Sequence, residues 1–440
     1  MVSWLNSKSI QHPDLMRCFL SFQIRYGVML CLMTHLFLTP NGRAANVASS
    51  AGAIRELKQA LQDQEDYQNI DWQALEQASM AQVALTREDT QEAVKLLSEA
   101  YQRTTRLQRS SEMKEGLLRA GDHVMPFSYK VFGDLPKEGR SLFISMHGGG
   151  GAPARVNDQQ WENQKGLYQP KEGVYLTPRA PTNTWNLWHQ DHIDGMFRRL
   201  IENMVLFESV NPDRVYLMGY SAGGDGVYQL APRMADSFAA ASMMAGHPNE
   251  TSPIGLRNLP FALFMGGKDT AYQRNTIASE WKEKLEALQK QDPGGYTHWV
   301  KIFPEYGHWM QKEDAVALDW MQAYRRVKYP QKIVWKQDDV MHQRFYWLKA
   351  SPEAFEPRGE VVVRQEGQTI IIERMQVTSL TFRFNDQMLD LDQEVTIRDG
   401  ARELHRGKVQ RSLGVLIGSL LERGDPSYLF AAALTVNANP

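Results

Sequence analysis

Cysteine is nearly absent from this chain of 440 residues, which has two, Cys18 and Cys31. There is also no excess of charge of either sign, with 49 Lys and Arg residues against 51 Asp and Glu residues. A dedicated nucleic-acid binder needs a basic surface that neutralises phosphates, so this balance predicts no nucleic-acid partner. Internal repeats and low-complexity tracts are missing from the sequence too, which argues against propeller and solenoid architectures.

The extended apolar run near the N-terminus is too short to span a bilayer. It begins at Tyr26 and is about 13 residues long, whereas a spanning helix needs roughly 20. It follows Arg17 and Arg25 and precedes small residues from Ala44 onward, the pattern of a removable export signal. We therefore predict a signal peptide over residues 1–48, export to the periplasm or the medium, and no stable membrane insertion once the leader is removed. An N-terminal membrane anchor is the alternative.

Removal of that leader would leave a mature chain without cysteine. Disulfide bonds, cysteine nucleophiles and thiolate zinc sites would then be excluded, and stability would have to come from packing. The composition is ordinary for a globular protein, with 42% hydrophobic and 23% charged residues. The length allows two or three domains and a sizeable core, whereas nothing in the sequence predicts the oligomeric state.

Hydrophobic periodicity divides the rest of the chain into three predicted regions. Residues 53–120 show helical spacing only, with Thr86 suited to cap a helix. Across residues 121–329, short apolar runs alternate with amphipathic helical segments, which favours a mainly parallel sheet covered on both faces. Residues 331–440 are typical of a small, mostly β accessory domain with one helix near Leu413–Arg423. The predicted fold class is α/β: a doubly wound, mainly parallel sheet with a helical segment before it and a β domain after it.

A serine flanked by glycines joins a strand to a helix in the central region. The sequence GYSAGG at residues 219–224 follows the apolar strand Val215–Met218 and precedes a helical segment. This context is typical of a nucleophile elbow, a tight turn whose glycines avoid collisions with the neighbouring strand and helix. Ser221 is therefore the predicted nucleophile, at a helix N-terminus where developing negative charge is favoured.

A serine nucleophile needs a base and a third group that orients the base. Two candidates lie directly after strands, since Asp269 follows Phe261–Met265 and His308 follows Trp299–Phe303. The chain order Ser, Asp, His is the one used on this type of sheet. Because the carboxyl ends of parallel strands meet at one edge, we predict that Ser221, Asp269 and His308 converge as nucleophile, orienting acid and general base.

A run of glycines provides candidate donors for a developing negative charge. The sequence HGGGG at residues 147–151 follows the strand Leu142–Met146, at the same predicted edge of the sheet. Bare backbone N–H groups can point at an oxyanion there without obstruction by side chains. We predict an oxyanion hole formed by the N–H groups of Gly149, Gly150 and Ala222.

With these motifs, residues 125–329 resemble an α/β-hydrolase serine hydrolase. Within that group the chain is similar to secreted esterases related to polyhydroxybutyrate depolymerases and feruloyl or acetyl-xylan esterases, on the basis of GYSAGG at 219–224 and GKDT at 267–270. The resemblance implies hydrolysis of a small-molecule or polymeric carboxylic ester through an acyl-enzyme, without a cofactor. Prolyl-oligopeptidase-like peptidases share the catalytic core, although their residue after the nucleophile is often aromatic, where this chain has Ala222.

Three tryptophans lie beside the predicted site. Trp185 and Trp188 belong to the loop after the strand Val174–Thr177, and Trp309 directly follows His308. These side chains could form an aromatic wall that binds a sugar, a phenolic acyl group or a polymer segment. Packing of the two loop tryptophans as local core is the equally weighted alternative.

A short run of His and Asp residues, His189 to Asp194, could also be interpreted as metal ligands. No third ligand element follows at a recognised spacing, so helix capping and hydrogen bonding are favoured and no metal is predicted.

Two other functions stay open at the level of the sequence. One is a peptidase that uses the same three side chains. The other is a polymer- or carbohydrate-binding surface protein in which the hydrolase core is inactive.

Overall fold

A computed structural model of the chain describes residues 49–62 and 70–438. The predicted leader, together with both cysteines, lies outside the described residues. Within those two ranges, no helix is both long enough and apolar enough to cross a membrane.

Helices and strands alternate through the middle of the chain and give way to strands towards its end. The helices are α1 (Ser50–Gln62), α2 (Trp72–Gln77), α3 (Arg87–Glu115), α4 (Ala154–Gln164), α5 (His192–Glu208), α6 (Ala222–Arg233), α7 (Arg274–Gln291), α8 (Ala317–Gln322) and α9 (Leu413–Arg423). The strands of the middle region are β1 (Leu117–Ala120), β2 (His123–Phe132), β3 (Arg140–Met146), β4 (Gly173–Pro178), β5 (Val210–Tyr220), β6 (Ala240–Met244), β7 (Phe261–Gly266) and β8 (His298–Phe303). The later strands are β9 (Lys332–Lys336), β10 (Arg344–Phe345), β11 (Leu348–Lys349), β12 (Glu360–Glu366), β13 (Thr369–Met375), β14 (Ser379–Phe384), β15 (Val395–Asp399), β16 (Arg402–Gly407) and β17 (Ala432–Asn437).

The strands of the middle region form a single sheet in the order β1-β2-β4-β3-β5-β6-β7-β8. Pairing is antiparallel between β1 and β2 and between β2 and β4, and parallel from β4 across to β8. The predicted fold class, with its mainly parallel sheet, is confirmed. Parallel pairing brings the carboxyl ends of β3, β5, β7 and β8 to one edge, where ligands bind in sheets of this kind.

Apolar side chains cover both faces of this sheet. Leu142 and Ile144 of β3 belong to a core that includes residues of α5, α6 and α7, whereas Phe143 belongs to a second core with residues of α8. Alternation of side chains along a strand explains why neighbouring residues of β3 belong to different cores. A strand buried on both faces reads as a continuous apolar run, which is the pattern that predicted it.

The helical segment before the sheet packs against the last helix of the chain. Leu57 of α1 and Leu97 of α3 share a buried cluster with Leu416 and Ile417 of α9. The Thr86 hydroxyl caps α3, as predicted, by accepting a hydrogen bond from the Asp89 N–H at 3.1 Å. The C-terminal region therefore completes the burial of the apolar faces of these helices.

The C-terminal strands form two further sheets, with the orders β16-β15-β13-β12-β9 and β10-β11-β14-β17. Their buried side chains, such as Trp335 and Phe382, belong to the same core as Leu217 of the central sheet. The C-terminal region is rich in strands as predicted, but β9, β10 and β11 are not anticipated from the sequence. The domain boundaries near residues 120 and 330 stay a prediction, because buried clusters extend across both positions.

Buried ion pairs reinforce the contact between the central sheet and the C-terminal region. Asp236, just after α6, is 3.2 Å from Arg423 and 3.5 Å from Arg344, and it accepts a hydrogen bond from the Tyr346 N–H at 3.3 Å. Although burial acts to raise its pKa, the guanidinium groups of Arg423 and Arg344 hold the pKa of Asp236 below its usual value. Removal of one buried partner of such a pair leaves an uncompensated charge.

The substitution Asp236→Asn is therefore expected to lower the free energy of unfolding by about 3 kcal/mol, because two buried guanidinium groups lose their carboxylate. Urea denaturation followed by circular dichroism measures the change. Glu286→Gln is the matched control, since it breaks only the exposed Lys282–Glu286 pair and should leave the free energy of unfolding nearly unchanged. Equal losses in the two variants would contradict the role assigned to Asp236.

Candidate active site

The turn between β5 and α6 holds Ser221 in a backbone conformation that residues other than glycine rarely adopt, with φ 58° and ψ −121°. Close backbone contacts surround it. A Cβ atom on Gly219 would lie 2.2 Å from the Gly223 carbonyl oxygen, and one on Gly223 would lie 2.2 Å from the Met146 carbonyl oxygen. The flanking glycines are therefore required by the approach of α6 and β3, as expected of a nucleophile elbow.

The structure brings the three predicted side chains together. The distance from His308 Nδ1 to Asp269 Oδ2 is 2.7 Å, and the distance from His308 Nε2 to Ser221 Oγ is 3.0 Å. Since the Asp269 carboxylate accepts the proton on Nδ1, Nε2 of a neutral imidazole is left to accept the Ser221 hydroxyl proton. The arrangement can abstract a proton from Ser221 and return it to a leaving group.

The loops that carry the acid and the histidine touch each other through glycine. A Cβ atom on Gly266, at the end of β7, would lie 1.9 Å from the Gly307 carbonyl oxygen. Asp269 is buried, and its own carbonyl oxygen accepts a hydrogen bond from the Asn275 N–H at 3.1 Å. His308 remains partly exposed, so the imidazole faces solvent on one side while its acid lies in the interior.

The glycine run after β3 is held by an asparagine that sequence reasoning missed. Asn157, fully buried on α4, accepts a hydrogen bond from the Gly150 N–H at 3.0 Å and donates one to the Gly150 carbonyl at 3.1 Å. The prediction of Gly150 as an oxyanion donor is corrected, because its N–H is occupied by this side chain. Gly149 is exposed with φ 112°, and Ala222 is the first residue of α6.

His147 also holds the glycine run in place, through hydrogen bonds of its imidazole. It is fully buried, and its Nε2 accepts a hydrogen bond from the Ala180 N–H at 3.2 Å, which leaves the proton on Nδ1 beside the Gly148 carbonyl at 2.6 Å. Burial lowers the pKa of His147 to about 4. This imidazole is therefore neutral at physiological pH, and its hydrogen bonds hold the glycine run at residues 148–151 against Ala180.

The three predicted tryptophans differ in exposure. Trp185 is 63% exposed and its backbone passes over the glycine run, with its carbonyl oxygen 3.5 Å from a Cβ built on Gly150. Trp309 is 49% exposed and its ring lies against that of Tyr220. Trp188 is fully buried and donates its indole N–H to the His147 carbonyl oxygen at 2.9 Å. The prediction that Trp188 binds substrate is therefore wrong, because its side chain is part of the core.

The run from His189 to Asp194 has structural partners. Asp191 caps α5 by accepting a hydrogen bond from the His192 N–H at 2.7 Å, and Asp194 pairs with Arg233 at 2.7 Å and with His342. These contacts fit the capping and hydrogen-bonding interpretation of the run.

Elsewhere in the described residues, the carboxylates of Glu250, Asp338 and Asp339 come within 4.8 Å of one another. None of the three is a predicted site residue.

No protein-family model matches this chain. No curated protein matches it either.

Solved structures with a partly similar fold include a thermostable esterase, with 17% identity and a TM-score of 0.37, where the match covers 48% of this chain and 62% of the esterase. A ferulic acid esterase shows 14% identity and a TM-score of 0.33 over 47% of this chain and 94% of its own. An acetyl xylan esterase from Paenibacillus sp. R4 shows 10% identity and a TM-score of 0.32, covering 51% and 94% of the two chains. Similarities of this size carry neither activity nor substrate over to this chain.

A second acidic residue lies next to the elbow. Asp225, on α6 four residues after Ser221, accepts a hydrogen bond from the His247 N–H at 2.6 Å. Burial raises the pKa of Asp225 to about 6. The folded protein therefore favours the protonated carboxyl, and this contribution to stability is present below about pH 4 and is lost as the pH rises through about 6.

The substitution Asp225→Asn keeps the acceptor but removes the ionisation. We expect the free energy of unfolding of this variant, relative to the unmodified protein, to increase by about 2 kcal/mol between pH 4 and pH 7. Urea titrations at one-unit intervals of pH measure the difference. A flat profile for Asp225→Asn would refute the assignment.

Proposed function

We propose that this protein is a serine hydrolase that cleaves carboxylic esters through an acyl-enzyme. The observation that carries the proposal is the hydrogen-bonded series from Asp269 through His308 to Ser221, with steps of 2.7 Å and 3.0 Å. Both distances are within hydrogen-bond reach for a nucleophile, a general base and the group that orients the base. Export through the leader at residues 1–48 is part of the same proposal.

In the proposed mechanism, Ser221 Oγ attacks the ester carbonyl while His308 Nε2 takes its proton. The N–H groups of Gly149 and Ala222 donate to the oxyanion of the tetrahedral intermediate. The Gly150 N–H takes no part, because it donates to the Asn157 side chain. His308 then protonates the departing alcohol, which leaves an acyl group on Ser221. Attack by water, with the same imidazole as base, releases the acid and restores the serine.

The choice of an ester over a peptide bond rests on the motif at the elbow. Ala222, the buried first residue of α6, places a small side chain directly after the proposed nucleophile. Amide hydrolysis by the same three side chains is the competing outcome, and the assay below separates the two.

Fluorophosphonate labelling tests the nucleophile. The probe is expected to label the unmodified protein, whereas Ser221→Ala should abolish labelling and lower kcat/KM for p-nitrophenyl acetate by about 10³-fold or more. Ser49→Ala, at the N-terminal end of the described residues, is the control and should leave both unchanged. Labelling that persists in Ser221→Ala would contradict the proposal. Faster cleavage of peptide p-nitroanilides than of esters would show that the protein is a peptidase.

The two exposed tryptophans support a substrate that extends beyond the scissile bond. Trp185 lies beside the glycine run and Trp309 beside the histidine, so each side of the proposed site has an aromatic side chain accessible to a ligand. Exposed aromatic rings stack on flat apolar groups of ligands.

The variant Trp185→Ala should therefore raise KM for a bulky aryl ester such as p-nitrophenyl benzoate by about 5-fold, with kcat little changed, because binding contacts are lost equally in the ground and transition states. KM for p-nitrophenyl acetate should stay within about twofold, since the acetyl group offers little apolar surface to an aromatic ring. Steady-state kinetics measure both. Leu135→Ala, which removes another exposed apolar side chain, is the control, and identical changes for both esters would contradict a binding role.

A further inference from the structure

We propose that the Tyr220 hydroxyl is a positioning group that fixes the backbone of His308, and through it the alignment of the imidazole with Ser221. This inference rests on the proposed function and adds to it a residue that touches neither the substrate nor the reacting atoms. Its support is a pair of hydrogen bonds between the elbow and the histidine loop.

The Tyr220 hydroxyl uses both of its hydrogen-bonding capacities on this loop. It donates to the His308 carbonyl oxygen at 2.6 Å and accepts from the Met310 N–H at 3.0 Å. The Tyr220 hydroxyl oxygen therefore joins the turn at Ser221 to His308 and Met310, the two residues that flank Trp309. Burial raises the pKa of Tyr220 above its usual value, so the hydroxyl keeps the proton that it donates to His308.

The ring of Tyr220 supports the same loop. It lies edge-on to the His308 imidazole, with ring centroids 6.0 Å apart and an interplanar angle of 81°, and it also packs against the Trp309 ring at 5.5 Å. Replacement by phenylalanine would keep these ring contacts and remove only the hydroxyl, which allows the two contributions to be separated.

The loop beyond Met310 contains two residues in a strained backbone conformation. Gln311 and Lys312 both have positive φ, 53° and 67°, a conformation that costs free energy for residues other than glycine. A second buried tyrosine anchors the far end, where the Tyr168 hydroxyl donates to the Asp314 carboxylate. The strained pair thus lies between two tyrosine anchors, and the anchor at Tyr220 is the one attached to His308 itself.

The acid and the nucleophile are each held by their own strand and turn as well, although the loop of the acid also contacts the histidine loop through the Lys268 N–H, which donates to the Tyr306 carbonyl oxygen at 2.9 Å. Ser221 lies in the tight turn between β5 and α6, and Asp269 is buried after β7. The His308 side chain, after β8, is partly exposed. The imidazole therefore depends on its backbone for its place between the other two side chains. A displacement on the order of 1 Å at such a group can lower a rate by about 100-fold.

The test compares Tyr220→Phe with Tyr216→Phe. Tyr216 is a matched control on the same strand, also buried, whose hydroxyl donates to the Tyr324 carbonyl oxygen at 3.1 Å. We expect kcat for p-nitrophenyl acetate to fall about 10- to 100-fold in Tyr220→Phe with KM within about twofold, and to stay within about twofold of the unmodified enzyme in Tyr216→Phe. Tyr220→Phe loses two hydrogen bonds and Tyr216→Phe loses one, so the thermal unfolding midpoint should be the lower of the two in Tyr220→Phe, with both variants folded at the assay temperature.

A proton NMR measurement reports the geometry without any substrate. The proton on His308 Nδ1, hydrogen-bonded to Asp269, should give a far-downfield resonance that His308→Gln removes. We expect it to broaden or disappear in Tyr220→Phe and to persist in Tyr216→Phe. Equal kcat values for the two variants, together with an unchanged downfield resonance in both, would overturn the proposal.

The two readouts separate this inference from the proposed function. A protein without esterase activity whose downfield resonance is lost only in Tyr220→Phe would retain the positioning role and lose the esterase assignment. Should Tyr220→Phe be recovered unfolded, Tyr168→Phe carries the test by releasing the other end of the loop. In that variant kcat should fall with KM unchanged, and an unaltered kcat would count against the proposal.

Discussion

The contact on which the site depends is the near collision of three backbone segments around Ser221. The end of β5, the first turn of α6 and the end of β3 approach so closely that Gly219 and Gly223 have no room for a side chain. That approach fixes the serine at φ 58° and sets the amides of α6 next to the glycine run that continues β3. The relative placement of the proposed nucleophile and the proposed oxyanion donors is thus a property of backbone packing.

Neutral polar side chains hold the loops around this contact. His147, whose pKa is lowered by burial, and Asn157 bind carbonyl and amide groups of the glycine run, and Tyr220 does the same for the histidine loop. Because none of the three carries a charge at neutral pH, they add no electrostatic field that would compete with Asp269 for the imidazole. These three side chains therefore shape the backbone of the site without adding charge to it.

The sequence allowed prediction of those parts of the site that follow from local patterns. Ser221, Asp269 and His308 each come directly after an apolar strand, so parallel pairing was enough to predict that they converge. The errors, at Gly150 and Trp188, concern individual side-chain contacts that local patterns do not reveal. Trp188 is buried because Gly226 on α6 leaves space for it, since a Cβ there would lie 2.6 Å from the Trp188 Cβ, and nothing in the loop sequence signals that contact.

The packing of α1 and α3 on α9 affects the order in which the chain can fold during synthesis. The ribosome makes α3 roughly 300 residues before it makes α9, and until then the cluster shared by α1 and α3 lacks the apolar side chains of α9. A nascent chain interrupted before α9 would expose that surface to chaperones and proteases. Completion of the last helix is therefore the step that closes the fold, however early the sheet around Ser221 assembles.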